Sequence, residues 1–125
     1  MIAHYRDRVS GPLLDRFAIQ VEVPSVPPTD LAKAAPGESS AVVAARVAAA
    51  RRRREHDTEP APTGSAQRIL HQAIRRLGLS ARAHDAILRV ARTIAYLEGT
   101  NVIESAHVAE AVQYRALDRA LGGRT

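Results

Sequence analysis

Arg16 and Arg82 stand where a guanidinium can meet an anion. Arg16 closes the turn "SGPLLDR", directly ahead of the alternating stretch "AIQVEVP", which places its side chain at a sheet end. Arg82 comes two residues after Ser80, in the first turn of a predicted helix. A guanidinium there adds to the partial positive charge of the helix N-terminus, and the two together favour an anion. Phosphate suits this chemistry because the guanidinium fork binds it through two hydrogen bonds. A surface salt bridge is the plainer account of either arginine alone. Arg82, Asp85, Arg89 and Arg92 share one helical face, which a solvated surface explains equally well.

Other chemistries lack their residues. No G-x-x-x-x-G-K-[ST] loop occurs in these 125 residues, and Gly11 and Gly64 are too isolated to cradle a phosphate. The histidines His4, His56, His71, His84 and His107 have no spacing that suits a metal, so no metal site is expected. There is no G-x-S-x-G elbow, and the serines read as helix caps. With no cysteine, disulfide and thiolate chemistry are excluded.

The elements that must hold these arginines follow from periodicity. Ile19, Val21 and Val23 alternate with Gln20 and Glu22, which predicts a strand with one buried face, ended by Pro24. A Pro- and Ser-rich linker is expected over 25–38. A helix follows from a cap at Ser39 or Ser40, with a thin apolar side of Val43, Val47 and Ala50 and with Arg51 to Arg54 near its C-terminal end. "DTEPAPTGS" reads as a loop. The next helix places Ile69, Leu70, Ala73, Ile74 and Leu77 on one stripe; Gly78 is its C′ residue, and Leu79 supplies the apolar contact of a Schellman end. Ser80 caps a long helix with Ala83, Ile87, Val90, Ala91 and Ile94 inward, stopped by Gly99. A last helix starts near Glu104 or Ser105 and buries Val108, Ala111, Val112, Leu117 and Leu121. The fold class is mainly α: one N-terminal β-strand followed by a helical bundle.

Composition agrees with that picture. Trp is absent and Phe17 is the only phenylalanine, so the core must be built from Ala, Val, Ile and Leu, as in closely packed helices. The formal charge of +5 is carried almost wholly by arginine, with Lys33 the one lysine. It points to phosphate-bearing partners, or reflects a GC-rich genome. No apolar run approaches the ~20 residues that span a bilayer, and "MIAHYRDRVSG" has no signal-peptide core, so a cytoplasmic location without membrane attachment is expected. "ILHQAIRRLGLSARAHDAILRVART" also has the outline of a helix-turn-helix, although its second helix is longer than a compact DNA reader needs.

Three ordered blocks, "HYRDRVSGPLLDRFAIQVEVPSV", "LGLSARAHDAILRVARTIAYLEG" and "IESAHVAEAVQYRALDR", resemble the C-terminal part of the magnesium-chelatase-like AAA+ ATPases of the ComM type. The resemblance implies residues 1–24 as the edge of a nucleotide-binding core, 25–38 as a linker and 39–125 as a helical lid. Arg16 would then be the arginine-finger candidate, with Arg8 a second, offered to the γ-phosphate held by a neighbouring subunit. Arg82 would be the sensor-2 arginine, reaching the ATP γ-phosphate from the lid of its own subunit. The strand would be the last of the family's sheet. ATP and Mg²⁺ belong to the complete family protein; neither is expected on this chain alone, which should not hydrolyse ATP unaided. Implied partners are the nucleotide-binding core or a ring of like subunits, and, in the competence branch, DNA. The region around "REHDTEPAPTG" is shorter and more polar than the resemblance would have it. Two alternatives stand beside this reading: a stand-alone helix-turn-helix-like DNA-binding module, and an inactive truncated gene product.

Overall fold

The computed structural model describes residues 13, 16–33 and 35–115. After an extended stretch come helix α1 (Pro28–Lys33), α2 (Ser40–His56), strand β1 (Ala61–Pro62), α3 (Gly64–Leu77), α4 (Ala81–Glu98), β2 (Val102–Ile103) and α5 (Ser105–Gln113). The mainly helical class is as the sequence predicts.

The helix ends are set by the expected residues. Ser39 caps α2 by accepting from the Val42 N–H at 3.2 Å, and Ser80 caps α4 by accepting from the Ala83 N–H at 3.1 Å. The Thr63 hydroxyl does the same for α3, accepting from the Ala66 N–H at 3.1 Å. Gly78 ends α3 in the left-handed region at φ 61°, the Leu79 N–H reaches back to the Ile74 carbonyl at 3.1 Å, and Leu79 packs against the core. Gly99 ends α4 in the same way at φ 81°. A side chain at either glycine would be strained by its Cβ. The α5 start uses a capping box of Glu104 and His107.

The core is small-residue packing around α4. Ala66 and Leu70 from α3, Ile87, Val90, Ala91 and Ala95 from α4, Ile103 from β2, and Val108 and Ala111 from α5 form one buried cluster. The predicted α4 stripe is buried apart from the partly exposed Ile94, and Ala86, Ala95 and Tyr96 join it. On α2 only Ala50 is buried; Val43 and Val47 remain exposed. Leu117 and Leu121 lie outside the described residues. Alanines at the contacts let helix axes approach closely, which suits a bundle with so few aromatic side chains.

Three local expectations need correction. The stretch around Ile19, Val21 and Val23 is extended but is not a strand, and these side chains are 53%, 60% and 77% exposed. A ladder needs a facing edge; here the Gln20 N–H donates to the Tyr114 carbonyl at 2.8 Å, at the end of a helical segment that cannot continue the pairing. The linker contains the single-turn helix α1, where Pro28 occupies a first turn that needs no N–H and Asp30 suits the N-terminal dipole. The "DTEPAPTGS" loop supplies β1, which pairs in parallel with β2 through Ala61–Val102 and Pro62–Ile103. The Thr63 N–H extends that pairing to the Ile103 carbonyl at 3.0 Å. Among the described residues, no helix is long and apolar enough to cross a membrane.

Candidate anion-binding site

Arg16 and Arg82 lie far apart in sequence and line the same groove, a cavity of ≈ 1110 Å³. Each is fixed by backbone rather than by its own side chain. The Arg16 N–H closes a turn onto the Leu13 carbonyl at 3.1 Å. The next carbonyl, that of Phe17, accepts from the fully buried Arg115 guanidinium at 2.7 Å, and the Gln20–Tyr114 bond pins the following residues. Arg82 is held in the first turn of α4 by the Ser80 cap.

Arg46 of α2 and Arg89 of α4 complete the cationic lining, with an apolar floor that includes Ile19, Val90, Ile94 and Leu97. Glu98 and Glu110 also line the groove. The Glu98 carboxylate is engaged by the His107 Nε2 at 2.6 Å, and Arg46 pairs with Glu38. His107 Nδ1 accepts from the Glu104 N–H at 3.0 Å, so the ring proton sits on Nε2 and is donated to Glu98. Arg16, Arg82 and Arg89 make no side-chain ion pair among the described residues, and all three are exposed. Guanidiniums sharing a concave surface without carboxylate partners raise the local positive potential and favour an anion.

Arg8 lies outside the described residues, as does His4. The other histidines arrange themselves in ways that spacing did not reveal. His71 of α3 and His84 of α4 stack with ring centroids 6.1 Å apart and planes at 18°, while His107 is buried in the α5 cap. Among the described residues no group of three or more His, Cys, Asp or Glu side chains could hold a metal ion. Of the predicted shared face on α4, Arg92 is drawn aside to Glu59 at 2.9 Å, whereas Arg82 and Arg89 look into the groove.

Sequence reasoning missed three arginines. Arg46 enters the groove from α2. Arg115 holds the Phe17 carbonyl across the whole chain, a long-range pairing with no local signal. Arg53, inside the run Arg51 to Arg54, turns inward and donates to the Tyr96 carbonyl at 2.7 Å, near the C-terminal end of α4. A guanidinium at that end gives a second donor to a carbonyl that also accepts from the Gly99 N–H at 3.2 Å, and it suits the helix dipole.

The chain resembles known proteins over nearly all its length. The family model described as "Magnesium chelatase, subunit ChlI C-terminal" matches residues 37–115. The uncharacterized protein YifB of Escherichia coli (strain K12) is 42% identical over 94% of this chain. Competence protein ComM of Haemophilus influenzae is 37% identical over 96% of it. In both cases the matched part is 26% of the relative, so the chain spans about a quarter of their length. No solved structure matches significantly. The family model covers more than half of the chain, including every helix of the bundle from α2 to α5, and this chain therefore belongs to the magnesium-chelatase-like ComM family, carrying its C-terminal helical part.

Proposed function

We propose that this chain is the lid and arginine-bearing segment of a magnesium-chelatase-like AAA+ ATPase, and that its groove turns arginines toward nucleotide phosphate, Arg82 to that of its own subunit's core and Arg16 to that of a neighbouring subunit. One observation carries the reading: Arg16 and Arg82, far apart in sequence, line one groove and make no side-chain ion pair among the described residues. Arg82 is the sensor-2 candidate for the ATP γ-phosphate. Arg16, with Arg8 as a second candidate, is the finger offered to a neighbouring subunit. Residues 1–24 are the core edge, 25–38 the linker and 39–125 the lid. The sequence holds no G-x-x-x-x-G-K-[ST] loop, and among the described residues no cluster of metal ligands occurs, so the expectation is that the chain by itself neither binds ATP tightly nor turns it over.

The test is ATP hydrolysis by this chain joined to a family nucleotide-binding core, against the chain alone. The joined protein is expected to hydrolyse ATP and the isolated chain to be inactive. Arg16→Ala should lower kcat by about 10³-fold or more, the scale of a finger arginine. Mixing Arg16→Ala subunits with subunits lacking a working phosphate loop should restore turnover, since each defect lies on a different side of a shared site. Turnover by the isolated chain, or unchanged kcat in Arg16→Ala and Arg82→Ala, would overturn the reading.

A further inference from the structure

Arg115 is the largest fully buried side chain among the described residues, and its guanidinium donates to the Phe17 carbonyl at 2.7 Å. Taking a guanidinium out of water is costly, and an apolar side chain of similar volume would fill the same space more cheaply. What the guanidinium adds is a directional, charge-assisted hydrogen bond. It is aimed at the residue next to Arg16. The neighbouring Tyr114 supplies a second contact, its carbonyl accepting from the Gln20 N–H at 2.8 Å. One bond alone would leave the extended segment a pivot; two, three residues apart, fix its direction as well. Both come from the end of α5, where the Arg115 N–H donates to the Val112 carbonyl at 2.9 Å and Tyr114 packs against the core. Val108 and Ala111 in turn bury α5 in the same core cluster as α3 and α4.

We propose that Arg115 is a positioning residue for Arg16, acting through the Phe17 carbonyl with the Tyr114 carbonyl as its second point. This rests on the reading of Arg16 as a finger offered to a neighbouring subunit. Arg115 does not itself face nucleotide, because its side chain is fully buried. A finger is useful only where it meets the charge that develops in the transition state, and a misplacement of about 1 Å can cost about 10²-fold in rate. Arg16 is one residue from the held carbonyl, so a shift there passes along the backbone to its side chain. The segment's own packing adds little, since Ile19, Val21 and Val23 are exposed. Arg16 therefore takes its place from α5, and α5 shares its core with α4, the helix that carries Arg82.

The test has two parts. In the isolated 125-residue chain, Arg115→Met should speed hydrogen exchange of the Arg16 and Gln20 amides about tenfold. The α4 amides and the helicity by circular dichroism should stay as they are. In the chain joined to a family nucleotide-binding core, Arg115→Met should lower kcat about 10²-fold with KM for ATP unchanged, as for an interaction made only in the transition state. Added to Arg16→Ala, it should cause no further loss, because it acts through the residue already removed. Arg115→Lys keeps the charge without the planar fork and should lose less, again only where Arg16 is present. Should Arg115→Met fail to fold, Arg115→Lys decides by the same comparisons. A kcat loss equal with and without Arg16, or exchange or kcat unaltered in every variant that folds, would overturn the proposal. Unchanged kcat in Arg16→Ala would instead overturn the finger reading, leaving the exchange comparison to decide whether Arg115 holds the segment.

Discussion

At the scale of single residues, two polar arrangements hold the bundle ends together. A Cβ on Gly99 would stand 3.2 Å from the Arg53 Cζ, and the residue already sits at φ 81°. Gly99→Ala should cost about 1–2 kcal/mol from backbone strain alone, lowering Tm by about 5–10 °C in a domain of this size. Arg53→Ala loses the bond to the Tyr96 carbonyl, worth about 1–2 kcal/mol. The double variant should be less destabilised than the sum, because one change removes the atoms the other collides with. Thermal unfolding of the four proteins measures this, and strict additivity would show that the contact carries no energy. His107 is 3% exposed and joins Glu104 to Glu98 through both ring nitrogens. His107→Ala leaves the Glu104 N–H without its acceptor and opens a void, an expected loss of about 2–4 kcal/mol by denaturant unfolding.

At the scale of elements, the helices differ in how much of their stability is their own. The central α4 has seven buried residues, whereas α2 buries only Ala50. Hydrogen exchange should therefore find α4 protected to the level of global unfolding and the first half of α2 opening far more easily. Ser39→Ala should raise exchange within α2 with little change in Tm, while Ser80→Ala should cost the whole domain about 1 kcal/mol. Similar protection of α2 and α4 would contradict this. These elements also mark what was legible. Ser39, Ser80, Gly78 and Gly99 act on their own neighbours, so caps and ends could be read along the chain. The β1–β2 pair could not, because two residues with a proline give no alternation and their partnership depends on how α3 and α4 turn. Arg16 and Arg82 could be singled out by their positions; that they line one groove, joined by Arg46 and Arg89, follows from packing. Arg53 was hidden inside a run of four like residues, only one of which turns inward.

For the whole molecule, the notable surface is the exposed row of Ile19, Val21, Val23 and Val26 on the extended segment. Among the described residues the Ile19, Val21 and Val23 amides belong to no strand ladder, so in the isolated chain they should exchange at loop-like rates. Joined to a nucleotide-binding core, the same amides should become protected; continued fast exchange would remove the segment from the sheet proposed for it. Its attachment to the bundle includes the Arg115–Phe17 bond, which spans 98 residues, beside the Gln20–Tyr114 bond. That span has a consequence in time. Phe17 leaves the ribosome 98 residues ahead of its anchor, about 5–20 s earlier at ordinary rates of synthesis. Throughout that interval Arg16 has no seat, and the corner that carries it is the last part of the bundle to be built.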